Sequence, residues 1–141
     1  MKKHLEDMNL IDLLSEKHLA LRKKVTDQDQ NHLNKTETHI LAVLEEHSML
    51  SISEISRLIN ISRQGTHKSI KGLLDHSYVE MVDVKDNQRD RYIALTDKGI
   101  ECNRNLLDIK KRMEGQILHK LGEQKVKIIK ELLKEEWLDE E

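Results

Sequence analysis

The sequence predicts a mainly α-helical protein with one small β element. Over most of the 141 residues, apolar side chains recur every three or four positions, which is the period of an amphipathic helix. Phe and Pro are absent and charged residues make up 35% of the chain, so Leu, Ile, Val and Met must form the core. Only in residues 78–96 does the period change to two, which is typical of a β-hairpin.

The first predicted helix, in residues 5–25, has an unusually broad apolar face. Leu10, Leu13 and Leu19 widen a stripe that is already complete at helical spacing. A terminal helix with such a face requires more partner surface than a small domain offers, which predicts a homodimer. The alternative is a helix that lies across its own domain. Residues 26–34 are polar and predict a turn or linker, after which Thr36 begins the second helix.

A helix-turn-helix motif is predicted from residue 49 onward. Residues 49–52 fit a short strand, and Ser51 with Glu54 fits the capping box that begins a helix. The predicted buried stripe of this short helix consists of Ile55, Leu58 and Ile59. Asn60 tolerates left-handed backbone geometry, and Ser62 can cap a second helix. Two helices joined by about three residues form the motif.

The second helix of the motif has an apolar and a basic face. The side chains predicted to point inward are Thr66, Ile70, Leu73 and Leu74. The side chains predicted to contact DNA are Ser62, Arg63, Gln64, His67, Lys68 and Lys71, together with Arg57 on the preceding helix. Residues 57–74 contain four basic and no acidic residues in a chain of net charge −2, which favours DNA contact over a merely solvated face. The amino-terminal end of such a helix enters the major groove.

The predicted hairpin has a charged tip in the stretch KDNQRDRYIALTDK, residues 85–98. Three basic and two acidic residues lie within residues 85–91. A guanidinium on a thin hairpin can enter a minor groove about 6 Å wide. A helix-turn-helix followed directly by such a hairpin is a winged helix, so the predicted fold is a winged helix-turn-helix with a two-stranded β wing and long terminal dimerisation helices.

Three stretches resemble the multiple antibiotic resistance regulator (MarR) family: LSISEISRLINISRQGTHKSIKGLLDHSYVE, DNQRDR and IALTDKG. The resemblance covers residues 49–99 and extends to the rest by architecture. It implies Arg89 as the wing-tip arginine, oriented by Asp86 or Asp90. Lys85 and Arg91 complete the predicted DNA-binding set, Arg91 by contacting phosphate or bracing the wing. Ser77 stands where the family often has Gly, so the turn before the wing must be made differently.

The resemblance also implies how the protein works. We expect a single domain over residues 1–141, with a DNA-binding lobe at 36–98 and a helical dimerisation lobe formed by 1–34 and 99–141. The expected partner is double-stranded DNA with a pseudo-palindromic site, bound by a homodimeric transcription regulator, a repressor. Small ligands in this family often act from a crevice between the two lobes, so a small-molecule effector is expected. Neither its identity nor the operator can be read from the residues.

Other classes of function have little support in the sequence. No phosphate loop or nucleophile motif occurs, so we expect no enzyme and no cofactor. The histidines lack the matching ligands of a regulatory zinc site, so no metal is expected. Cys102 is interpreted as a packed residue rather than a redox sensor. The charged start, MKKHLEDMNL, predicts a soluble, cytoplasmic protein without membrane contact. The alternative of another class is a winged-helix protein-interaction module that does not bind DNA.

Overall fold

The computed structural model describes residues 5–84 and 91–139, and its elements are mainly helical, as predicted. In chain order the elements are α1 (Leu10–Gln28), α2 (Lys35–His47), β1 (Met49–Ser51), α3 (Ile52–Ile59), α4 (Arg63–Asp75), β2 (Val79–Val82), β3 (Tyr92–Leu95), α5 (Asp97–Leu121) and α6 (Glu123–Lys134). Among the residues described, no helix is long and apolar enough to cross a membrane.

The chain forms two compact units, one up to Leu106 and the other from Leu107. The first contains α1 to α4, the three strands and the start of α5. The second contains the remainder of α5 and α6. The predicted grouping of residues 1–34 with 99–141 concerns the dimer and stays a prediction.

The first two helices begin at capping residues. The side chain of Asn9 accepts a hydrogen bond from the amide of Asp12 at 2.8 Å, so α1 begins at Leu10 and not at residue 5. Asn34 and Glu37 form a capping box, so α2 begins one residue before the predicted Thr36. Local hydrogen bonds therefore place the starts of both helices at positions that differ from the predicted ones.

The connection between α1 and α2 is shorter than predicted, because α1 continues to Gln28. The buried carboxylate of Asp29 then accepts from the amides of Asn31 and Leu33 at 3.1 and 3.2 Å, which stabilises the turn. The linker therefore spans residues 29–34 rather than 26–34.

The helix-turn-helix has the predicted local structure. Ser51 and Glu54 form the capping box of α3, and Asn60 adopts the left-handed conformation (φ 55°, ψ 49°) that ends it. The prediction was wrong for Leu58, which is 48% exposed. In this eight-residue helix the buried stripe is centred on Ile52, Ile55 and Ile59, and Leu58 lies at its edge.

The sheet has three antiparallel strands in the order β1-β3-β2: the two strands of the predicted wing, joined by the short strand predicted near residues 49–52. Leu50 of β1 pairs with Ile93, and Val79 of β2 pairs with Leu95, so β3 is central. By strand alternation Met81 lies on the same side of β2 as the buried Val79, yet it is 45% exposed. Because β2 is an edge strand, Met81 has a strand neighbour on one side only.

The core of the first unit lies between the helices and one face of the sheet. Its most deeply buried side chains are Ile40, Leu41, Leu44, Ile55, Thr66, Ile70, Leu73, Ile93 and Leu106. The buried side chain of Asn103 on α5 donates to the carboxylate of Glu45 on α2, and Arg104 pairs with the same carboxylate at 3.4 Å. These polar contacts tie the beginning of α5 to α2.

The second unit contains one buried residue of α6, Val126. Lys130 of α6 pairs with Glu114 of α5 at 2.9 Å. Trp137 does not lie in α6, which ends at Lys134. The Trp137 indole N–H instead donates to the carbonyl of Leu132 at 2.7 Å, folding the following segment back on the helix end.

Candidate nucleic-acid interface

Helix α4 begins at a serine cap, and its first turn contains no acidic residue. The Ser62 hydroxyl oxygen accepts from the amide of Gly65 at 3.0 Å. The buried hydroxyl of Thr66 donates to the carbonyl of Ser62 at 2.9 Å, so its polar atom is satisfied inside the core. The positive end of the helix dipole favours a phosphate group near this turn.

The two faces of α4 are those predicted from the sequence. Thr66, Ile70 and Leu73 are buried, and Leu74 is half-buried. Every predicted DNA-contacting residue of this segment is exposed: Ser62, Arg63, Gln64, His67, Lys68 and Lys71. The last five recur at helical spacing, so they lie along one face of a helix about 20 Å long. This surface, the basic face of α4, carries three full positive charges and a histidine.

The turn between α3 and α4 fixes the position of a further basic residue. The Ser56 hydroxyl donates to the carbonyl of Ile61 at 2.8 Å, and the Ile61 amide donates to the carbonyl of Ser56 at 3.3 Å. Arg57 is exposed in the last turn of α3, directly beside this braced turn. The predicted contact of Arg57 with DNA is therefore compatible with its place in the fold.

The wing is tied to the helix-turn-helix at its returning strand. Arg91 is exposed and comes directly before β3, and its carbonyl accepts from the amide of Ile52, the first residue of α3, at 3.3 Å. The remaining predicted wing residues, Lys85, Asp86, Arg89 and Asp90, lie outside the described residues. Their predicted roles stay predictions.

The turn from α4 into the wing is made with Ser77 at the position where the family often has Gly. Ser77 adopts a left-handed backbone with φ 62°, the conformation for which glycine is the usual residue. Gly99, in the first turn of α5, packs so closely on this turn that an added Cβ would overlap the carbonyl oxygen of Tyr78. The motif IALTDKG therefore has a structural reason, because only glycine fits there.

The sequence pattern did not single out Tyr78, Thr96 or Lys98. Tyr78 is buried, its hydroxyl donates to the Asn31 side chain at 3.1 Å, and the Lys98 ammonium lies 4.3 Å from its ring centre. The sequence feature that could have indicated these residues is the motif IALTDKG, whose Thr96 and Lys98 donate hydrogen bonds to the turn at residues 76–78.

Cys102 is the packed residue that the sequence predicts. It is 2% exposed, and burial, followed by the nearby carboxylate of Asp29, raises the pKa of its thiol to about 11. At neutral pH the thiol stays protonated and is a poor nucleophile. Within residues 5–84 and 91–139, no three His, Cys, Asp or Glu side chains are grouped so that they could hold a metal ion.

The fold and the basic face of α4 define the class of protein: a winged helix-turn-helix with long flanking helices. The family model described as MarR family matches residues 33–91, the segment that contains this motif and the returning end of the wing. The resemblance inferred from residues 49–99 is thereby confirmed over residues 49–91, where the chain is similar to the MarR family. No match was found among curated proteins.

Solved structures share the whole fold. A probable transcriptional regulator from Pseudomonas aeruginosa matches with a TM-score of 0.78 and 18% identity, over 92% of this chain and 96% of that one. A mutant of MarR from E. coli, complexed with operator DNA, matches with a TM-score of 0.77 and 13% identity, over 92% and 94%. NadR in complex with 4-hydroxyphenylacetate matches with a TM-score of 0.69 and 18% identity, over 88% of each chain. At these identities the matches establish a common fold.

Proposed function

We propose that this chain is a cytoplasmic, homodimeric transcription repressor that binds a pseudo-palindromic DNA site through α4 and the wing. The observation that carries the proposal is the basic face of α4, which is wholly exposed and begins at a helix end without acidic residues. Lysine and arginine on such a face neutralise phosphates, and Arg63 and Gln64 lie at the end that reads bases. The E. coli MarR mutant of the same fold is complexed with operator DNA, which supports this use of the surface.

The exposed apolar residues of α1 support a second copy of the chain as partner. Leu10, Ile11 and Leu19 are each at least 60% exposed, and Leu13 and Leu14 are also exposed. In α6 the exposed apolar residues are Ile128, Ile129, Leu132 and Leu133. Each helix thus exposes an apolar face, and such a face marks an interaction site. A two-fold dimer places two recognition helices about 34 Å apart, one turn of DNA.

A small-molecule effector completes the proposed mechanism. NadR, which has the same fold, is complexed with 4-hydroxyphenylacetate, so this architecture can accommodate a small ligand. A ligand that binds the unbound dimer more tightly than the DNA-bound dimer would release the operator. Repression is tested by transcription in vitro from the DNA upstream of the encoding gene, where added protein should lower the yield of transcript.

DNA binding is tested by titrating labelled duplex from that upstream region at two salt concentrations. A regulator with several phosphate contacts loses affinity on the order of a thousandfold between about 50 and 200 mM salt. Lys68→Ala should weaken binding and reduce the salt slope by about 1. Lys127→Ala, the same change at an exposed lysine of α6, is the matched control and should leave both unchanged. Weak binding without salt dependence would instead favour a protein-interaction module.

Dimerisation is tested by sedimentation of a variant with Ile129→Asp and Leu133→Asp. Two buried carboxylates would disrupt an apolar interface, so the variant should sediment as a monomer and lose specific DNA binding. Met49→Asp introduces the same charge at an exposed apolar residue of β1 and should remain dimeric. A double variant that stays dimeric would contradict the proposed role of α6.

A further inference from the structure

The chain passes from α4 into the wing through three residues whose backbone amides all return to the helix. The amide of His76 donates to the carbonyl of Gly72 at 3.2 Å, that of Ser77 to Leu74 at 3.0 Å, and that of Tyr78 to Leu73 at 2.9 Å. The connection of residues 76–78 is therefore an extension of the carboxyl end of α4. Its direction is set by the helix.

The carbonyls of the same three residues all accept from the junction between β3 and α5. The Lys98 ammonium donates to the carbonyl of His76 at 2.7 Å, and the Thr96 hydroxyl donates to that of Ser77 at 2.6 Å. The Thr96 amide donates to the carbonyl of Tyr78 at 3.2 Å. Two of these three donors are side chains. The base of the wing is thus closed by residues that follow its returning strand.

All six backbone polar groups of the connection are paired, three with α4 and three with Thr96 or Lys98. Turning the wing relative to α4 would require rotation about residues 76–78, which would break these bonds together. We propose that Thr96 and Lys98 are positioning residues, an inference that rests on the proposed DNA-binding function. Their bonds to the connection fix the angle of the wing against the recognition helix, so that both reach the DNA at once.

The exposure of Thr96 and Lys98 distinguishes a positioning role from a role in packing the core. Lys98 is exposed and Thr96 is only half-buried, so neither side chain fills the interior. The Thr96 hydroxyl oxygen has a second task, because it accepts from the Gly99 amide at 3.1 Å and caps α5. Serine can make both bonds, whereas valine has the shape of threonine without the hydroxyl. Comparing Thr96→Ser with Thr96→Val therefore measures the contribution of the hydroxyl group alone.

The test compares Thr96→Val and Thr96→Ser in titrations of the full chain with labelled upstream duplex. Thr96→Val should lose about tenfold in affinity, and Thr96→Ser should stay within about twofold of wild type. Asn34→Ala removes the side-chain cap of α2 and controls for the loss of a helix cap alone, so it should bind as wild type at a temperature where all variants are folded.

A purely structural role would not change the salt slope, since Thr96→Val removes no charge. A misplaced wing would lose its phosphate contacts, and the slope should fall by about 1. In an Arg91→Ala background the effect of Thr96→Val should shrink, because the two changes then act on the same contact. Equal losses in both backgrounds, or wild-type affinity for Thr96→Val, would overturn the inference. Failure of the wild-type protein itself to bind would instead overturn the proposed function.

Discussion

Gly99 offers the sharpest test of how the start of α5 is built against the wing. In Gly99→Ala the new Cβ would overlap the Tyr78 carbonyl oxygen and lie 3.1 Å from the Leu95 side chain. Backbone cannot rotate away as a flexible side chain can, so the first turn of α5 must move off the connection at residues 76–78. That movement would lengthen the bond from the Thr96 amide to the same carbonyl.

The size of the effect follows from three contributions. Overpacking costs about 1 to 3 kcal/mol, and each weakened hydrogen bond costs about 0.5 to 1.5 kcal/mol. Alanine recovers about 1 kcal/mol of helix propensity relative to glycine. If the middle of each range is taken and one or two bonds are weakened, the net loss in the free energy of unfolding is about 2 to 3 kcal/mol. For a urea slope of about 2 kcal/mol/M, the unfolding midpoint falls by about 1 M or slightly more.

The assay is urea unfolding at one fixed protein concentration, because dimerisation would otherwise shift the midpoint. Gly115→Ala is the matched control, since Gly115 lies in the same helix and an added Cβ there meets nothing within 4 Å. This variant should gain about 1 kcal/mol from helix propensity. If Gly99→Ala were as stable as Gly115→Ala, the close packing on Tyr78 would be refuted.

Three further predictions concern single side chains. Ser77→Gly relieves the left-handed backbone and should raise the free energy of unfolding by about 0.5 to 1 kcal/mol, whereas Ser77→Ala, measured in the same urea titration, should bring no gain. Hydrogen bonds from Ser51 lower the pKa of Glu54, so Glu54 contributes stability above its ordinary pKa of about 4.3 and loses it as pH falls through the lowered value. Acid titrations should therefore show Glu54→Gln less stable than wild type at neutral pH, with the gap closing in acid. The Cys102 thiol should react with a thiol reagent at neutral pH only after denaturant is added; rapid labelling of the native protein would contradict its burial.

The local features of the helix-turn-helix were predictable because each depends on neighbours in sequence. The capping box of Ser51 and Glu54, the left-handed Asn60 and the cap at Ser62 involve residues within three or four positions of one another. The exposed basic face of α4 follows in the same way from helical spacing. These features define most of the candidate DNA surface.

Burial at the edges of elements was predicted less well. Leu58 and Met81 fit the apolar period of their elements, yet both are exposed, because Leu58 lies at the edge of the buried stripe of α3 and Met81 lies in an edge strand. The pairing of β1 with β3 likewise joins residues about forty positions apart, and three residues of extended sequence do not indicate a strand partner. Such features depend on how elements are packed.

The sequence by itself determined that this chain is a winged helix whose helix α4 has an exposed basic face, since helical period, caps and charge are local properties. Only the tertiary structure decided how the wing is held. Thr96 and Lys98 meet residues 76–78 across 19 and 22 positions of sequence, and the two side chains donate to backbone carbonyls, which carry no residue-specific signal. Gly99 is required for the same reason, because what excludes a Cβ is a carbonyl oxygen brought close by the fold.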